Sequence, residues 1–419
     1  MPRLLNIVIP LILLFSSFPA ESSTPPAEKS NQQEALETGQ QDAPALFAQR
    51  GFLDNGQLLS GQAENWKEVI DTLSRLRFNY IATANAEADA TVSEYLEDRG
   101  LTIRNINYQD EAADKPGKEH SLVVIGENSQ KLWNGGMLEL PENSKLLWAD
   151  DGSGKLDSGP FDKKGHDFGV FLHAGSPQNG PVQDPYPGLL GDSIKAAIKR
   201  GLTANVLIAA PDVETFILNL EASSGALKQM GEFDGDAFYL DWATQNFGTK
   251  AAATTVKSLK LLHGAHTHVR GFADISKNTA EILAGLAEDK TGNIDLNPIS
   301  DAIRLSRRSL ELAQDATKKV PADKSKKFES QILFPAKIFA QNLELLESLS
   351  QLSNAWKIYR LFPPNEVSRQ RVTGLLAEAQ GKAENLQATL ANGPGGEGFK
   401  NPENWVPKPE SIEALTNKL

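Results

Sequence analysis

The chain contains no cysteine, and that absence removes three chemistries at once: disulfide cross-links, thiolate metal sites and cysteine nucleophiles. No Gly-x-Gly-x-x-Gly opens a helix after a strand, and there is no P-loop or Gly-x-Ser-x-Gly elbow. Nucleotide cofactors and serine-hydrolase chemistry are therefore without support, and no cofactor is expected. Basic residues are in deficit, 42 Lys and Arg against 54 Asp and Glu, a formal net charge of −12. A nucleic-acid partner or an anionic membrane needs a Lys/Arg-rich face, so neither is expected for the chain as a whole, although a local basic patch stays open.

Long apolar runs are also missing, apart from Leu4 to Phe15. That run follows Arg3 and precedes the small-x-small triplet Ala20-Glu21-Ser22, the layout of a secretory signal over residues 1–22. It is short for a bilayer span, and an uncleaved anchor is the alternative. Export without cysteine suggests a secreted or periplasmic protein of a bacterial envelope, with no membrane contact after cleavage. Residues 23–44, rich in Ser, Pro, Gln, Glu and Thr, read as a linker with too little apolar surface to order itself.

From Ala45 short apolar runs alternate with amphipathic segments. Strands are expected at Leu46–Leu53, Phe78–Ala82, Leu101–Ile106, Leu122–Ile125, Lys145–Ala149, Phe168–Leu172 and Asn205–Ala209, with Phe216–Leu220 as an eighth. Helical spacing marks Asn65–Arg77, Thr91–Arg99, Ser193–Arg200 and Gly235–Phe247. The fold class is thus α/β, a (β/α)8 TIM-type barrel over 45–273, distorted where Asp110–Lys118 and Asp157–Gly165 make poor helices. An all-α bundle follows over 274–392, with Pro335 expected to kink or split its longest helix, and an irregular tail over 393–419.

Two strands end in titratable groups, the fifth in Asp150 and Asp151 and the sixth in His173. Chemistry in such barrels gathers just beyond the strand carboxyl ends. Adjacent aspartates at a strand end point apart, so they cannot together be the acid and base of a glycosidase, which stand roughly 5 to 10 Å apart across a bond. One of them needs a partner from another strand: Asp212, Glu214 or Asp54. The bland alternative is that Asp150-Asp151-Gly152-Ser153-Gly154 is only a turn, and that His173 is a structural donor. His263, His266 and His268 have metal-compatible spacing but bring no carboxylate or cysteine, so no metal is assigned.

Three stretches in order, LELPENSKLLWADDGSGK, FGVFLHAGSPQNGP and FDGDAFYLDWATQNFG, resemble the catalytic region of glycoside hydrolase family 115, the xylan α-1,2-glucuronidases. RGFLDN, WKEVIDTLSRLRFNYI and QILFPAKIFAQNLELL extend the resemblance over about Gln49 to Trp405, without that family's preceding α/β domain. It implies a barrel with a following helical domain, acting on polysaccharide by carboxylate acid/base hydrolysis. Asp150, Asp151 and Asp212 carry over as catalytic and His173 as substrate-binding, while Asp54, Asn55 and Glu214, beyond the first and seventh strands, are substrate-binding candidates from their position alone. The chain departs from the family where Asp54-Asn55-Gly56-Gln57 replaces an Asn-Asp-Glu run and where Glu214-Thr215 replaces Lys-Pro. With Ala82-Thr83 in place of Trp-Pro, Asn105-Ile106-Asn107-Tyr108 in place of a His-containing loop and Glu127-Asn128 in place of Met-Arg, basic and aromatic groups suited to a glucuronate carboxylate are lost.

Three functions stay open: a polysaccharide hydrolase, a non-catalytic carbohydrate-binding or scaffold relative, and a helical interaction protein.

Overall fold

The computed structural model describes residues 47–418 except 55–57, 62–64, 85–87, 110–121, 139–144, 158–162, 176–181, 230–231, 270, 289–296, 363–364 and 395–406. The expected signal and linker, Asn55 and the crossover Asp110–Lys118 lie outside these residues. Seven parallel strands close a barrel in sequence order: β1 Arg50–Asp54, β2 Tyr80–Thr83, β3 Thr102–Gln109, β4 Leu122–Ile125, β5 Lys145–Ala149, β6 Phe168–His173 and β7 Val206–Ala209, with β7 pairing back onto β1. The first helices are α1 Trp66–Arg75, α2 Ala90–Asp98, α3 Glu127–Asn134, α4 Pro187–Arg200 and α5 Ile217–Lys228. A barrel followed by helices is what the patterning predicts. The strand count differs.

The expected eighth strand, Phe216–Leu220, is instead the start of α5. Its apolar run is continuous because the helix is buried on two sides. Leu220, Ala222, Ala226 and Leu227 pack with the outer barrel core, while Leu218 joins a second cluster with Tyr239, Trp242 and Phe247. A short apolar run of this kind fits a buried strand and a buried helix equally well.

Alternation along the strands builds two layers. Tyr80, Ala82, Val124, Leu147, Phe171 and Leu207 fill the interior, while Phe52, Ile81, Val123, Trp148, Val170 and Ile208 face the helices. A seven-stranded barrel is narrow, and two glycines make room in it. A Cβ on Gly51 would sit 2.0 Å from Cζ of Tyr80, and one on Gly169 2.3 Å from the Asn205 carbonyl oxygen. The Tyr80 ring thus occupies the volume beside Gly51 and donates its hydroxyl to Asn205 Oδ1 at 2.8 Å. Arg104 stacks over the same ring at 4.5 Å and donates to Gln49 at 2.6 Å. These groups fill the amino end of the barrel.

The remaining helices are α6 Gly235–Phe247, α7 Thr249–Val269, α8 Phe272–Ala287, α9 Asn297–Thr317, α10 Ser325–Phe328, α11 Phe334–Leu361, α12 Glu366–Asn392 and α13 Pro409–Glu413. Residues Ala45–Leu419 form one compact unit. Along α12 the buried residues Val372, Leu376, Ala379, Ala383, Leu386 and Leu390 recur at alternating steps of four and three, the seam of a helix packed along a neighbour, here α11. Pro335 stands in the first turn of α11, immediately after a π turn at Glu329–Leu333. A proline lacks the N–H for the bond one turn back and its ring crowds that carbonyl, and the wider turn absorbs both. The expected irregular tail carries α13 and a 3-10 turn, with Ile412 and Leu415 buried.

Candidate functional site

His173 is the last residue of β6, on the same side of the strand as Phe171, whose ring fills the barrel interior. The imidazole stands edge-on to that ring at 4.8 Å, so it sits on top of the interior layer at the carboxyl-end mouth. Asp150 follows β5, the neighbouring strand. Its Oδ1 lies 2.5 Å from His173 Nδ1, and its Oδ2 accepts the His173 backbone N–H at 2.7 Å. Gly152 donates its N–H to Asp150 Oδ1 at 2.9 Å. The Asp150 side chain is fully inaccessible, whereas 17% of His173 is exposed. The histidine alone reaches the mouth.

A carboxylate accepts and does not donate, so Nδ1 carries the proton in this pair and Nε2 is left as lone pair or, in the cation, as donor. The position is braced from behind. Tyr186 donates its hydroxyl to the His173 carbonyl at 2.8 Å. Burial, helped by Asp184, Asp150 and Asp151, pushes the Tyr186 phenol well above its usual pKa and keeps it a donor. Asn219, wholly buried, donates to the carbonyls of Ala174 and Asp184 and accepts the Tyr186 N–H. Gln130 ties the last carbonyls of β4 and β5 together at 3.0 and 2.8 Å.

The other candidate acids are engaged locally. Asp151 points away from Asp150, is exposed, and accepts from Ser153 N and Oγ and from Lys155 N. Asp54, buried at the end of β1, accepts from Leu58 N at 3.1 Å and Leu59 N at 3.0 Å. Asp212 accepts from Thr215 N at 2.9 Å and Thr215 Oγ1 at 2.5 Å, closing the turn that leads into α5. Glu214 is exposed and accepts from Asn65 at 2.8 Å. Asp54, Asp151 and Asp212 thus serve as local caps, and the structure brings together only Asp150 and His173 among the candidates it describes.

The expected histidine cluster on α7 separates. His263 pairs through Nδ1 with Asp184 Oδ1 at 2.7 Å. Its burial alone lowers its pKa, but the Asp184 hydrogen bond and charge outweigh that and leave it raised. His266 faces inward, stacked on Phe339 at 4.0 Å. Its pKa is pushed down to about 4, chiefly by burial, against Asp184 and the Gln183 backbone. Among the described residues no group of three or more His, Cys, Asp or Glu is arranged to hold a metal ion. Tyr186, Asn219 and the Asp184–His263 pair escape a reading of the sequence, because each works through a partner tens of residues away. The Pro-flanked Asp184-Pro185-Tyr186-Pro187, rigid ahead of α4, is the one local signal of a fixed segment.

With that geometry in view, the solved structures that match the chain include two carbohydrate-active enzymes. One, at TM-score 0.56 and 14% identity over 88% of this chain, is a family GH115 4-O-methyl-alpha-glucuronidase with specificity for decorated arabinogalactans. The likeness is one of fold. The second, at TM-score 0.56 and 9% identity over 90% of this chain, is a GH138 enzyme targeting pectin rhamnogalacturonan II. The chain spans 61% of the first protein's length and 84% of the second's. No protein-family model and no curated protein matches it. At these identities the likeness is one of fold and belongs to neither family in particular.

Proposed function

We propose that the chain is a glycoside hydrolase-like protein that binds a polysaccharide segment at the barrel mouth, with His173 as the group that meets the sugar and Asp150 as the residue that positions it. The observation that carries this reading is the His173–Asp150 pair: an imidazole on top of the interior layer, part exposed, its outer nitrogen set by an inaccessible carboxylate. Sugar hydroxyls both donate and accept, and an imidazole nitrogen held in one orientation suits them. Export, secreted or periplasmic, is part of the proposal and rests on residues 1–22.

Hydrolysis is the second reading, and the same pair favours it. An imidazole whose Nδ1 is fixed by a carboxylate can pass a proton through Nε2. The two-carboxylate route has less support, since Asp54, Asp151 and Asp212 each accept backbone N–H groups.

The test is a screen of purified protein against glucuronoxylan, decorated arabinogalactan and rhamnogalacturonan II, reading binding by affinity electrophoresis and released sugar by chromatography. Binding by the parent, weakened about tenfold or more in His173→Ala through loss of a buried-side hydrogen bond, supports recognition. Released sugar that His173→Ala abolishes moves the reading to hydrolysis. Binding that His173→Ala leaves unchanged, or no binding to any of the three, overturns it.

A further inference from the structure

The last turn of α11 with its C-cap and the first turn of α12 carry exposed apolar side chains. Of the seven large apolar residues exposed among those described, four fall here: Ile358 at 51%, Leu361 at 68%, Phe362 at 63% and Val367 at 77%. Scattered single exposures are ordinary, whereas four at the facing ends of two packed helices gather apolar surface that water does not favour. They are not loosely held. The two helices that carry them run 28 and 27 residues and are zipped together up to this end by Trp356, Tyr359 and Val372, all buried.

The charge around the patch is opposite to that of the chain. Between Lys357 and Arg371 the sequence places Lys357, Arg360, Arg369 and Arg371 against one acid, Glu366, in a protein whose formal net charge is −12. Arg360 lies against the rings of Trp356 and Tyr359 at 5.4 and 6.0 Å and donates to the Lys418 carbonyl at 3.4 Å, so its guanidinium is held at this end of α11.

We propose that these helix ends form a peripheral membrane contact: Leu361, Phe362, Ile358 and Val367 enter the headgroup region of an anionic bilayer while the surrounding arginines and lysine meet lipid phosphates. Apolar side chains combined with basic ones are what an interfacial contact requires, because burial of the first and attraction of the second add. A second copy fits less well. Symmetric pairing would set Arg360, Arg369 and Arg371 against their own kind, and like charges across an interface oppose it. The whole-chain acidity that argued against such a partner averages over the cluster and hides it.

Vesicle flotation tests this with the full chain, using phosphatidylcholine vesicles with and without phosphatidylglycerol. The parent is expected to float with the anionic vesicles at low salt and to be released by added salt. The double variants Leu361→Ser with Phe362→Ser, and Arg369→Glu with Arg371→Glu, should each lower the bound fraction by about tenfold or more, the scale of losing two such contacts. Both pairs are exposed, so unchanged thermal unfolding shows the variants to be folded, and the N-terminal apolar segment is common to parent and variants. Equal flotation of parent and variants, or none on anionic vesicles, overturns the proposal. So does a concentration-dependent dimer that the apolar variants abolish, which would make these helix ends an interface between copies.

Discussion

His173 and Asp150 are joined twice, through the imidazole Nδ1 at 2.5 Å and through the backbone N–H at 2.7 Å, by the two oxygens of one carboxylate. Asp150 therefore fixes both the end of β6 and the ring that emerges from it. Replacing it by Asn separates the two roles. One amide oxygen can still take the backbone N–H, but the amide nitrogen then faces Nδ1, which has to give up its proton to accept.

The expected outcome for Asp150→Asn is a destabilisation of about 1–3 kcal/mol, the range for disturbing a buried hydrogen-bonded acceptor, together with a switch of the His173 tautomer. Nitrogen-15 NMR of the imidazole reads the tautomer and urea unfolding reads the stability. Parent-like imidazole shifts in Asp150→Asn would show that the pairing does not set the ring. An Asp151→Asn variant should leave the tautomer in place, since that carboxylate caps its own loop.

The narrow barrel gives a second expectation. Gly51→Ala puts a Cβ 2.0 Å from the Tyr80 ring, and the ring cannot retreat because its hydroxyl is anchored on Asn205 and Arg104 covers its face. Overpacking of a full interior costs about 1–3 kcal/mol and more where backbone has to move. Gly51→Ala should lie at or above the top of that range in urea unfolding. The double variant Gly51→Ala with Tyr80→Leu should recover part of the loss by vacating the ring's volume. If the double variant is no better than the single one, the clash with Tyr80 is not what Gly51 prevents.

Strands β4 and β5 match their expected bounds because Leu-Val-Val-Ile and Lys-Leu-Leu-Trp-Ala are apolar runs of strand length cut off by polar turns. The barrel was legible for that reason, and so was the long helical region with its 3.5-residue seam. The start of α5 was not, since burial on both sides erases the period that separates helix from strand. Helix α3, Glu-Asn-Ser-Gln-Lys-Leu-Trp-Asn, hides for the opposite reason, having too few apolar residues to show a period. At the site, Asp150 and His173 could be nominated because each ends a strand. That Asp54, Asp151 and Asp212 act as caps follows from contacts two to five residues away, which any Asp near a turn has available. The Asp184–His263 pair spans 79 residues and leaves no local trace.

The last expectation concerns pH and sets His263 against His266, one turn apart on α7. His266 has a folded pKa pushed down to about 4 from 6.5, so between those values the unfolded chain binds a proton that the folded one refuses. Stability must fall as pH falls through that window, by on the order of 3 kcal/mol in total. His263 has the reverse sign. Its folded pKa is raised above 6.5 by Asp184, so its contribution is fully present below 6.5 and is lost as pH rises through the folded value. Together they place their joint optimum near 6.5. His266→Phe, which keeps a ring on Phe339 and removes the titratable nitrogens, should flatten the acid side and leave the neutral side alone. Asp184→Asn should instead remove the decline above 6.5. Urea unfolding midpoints across this range read both effects, and an acid slope unchanged in His266→Phe would show that the buried imidazole is not its source.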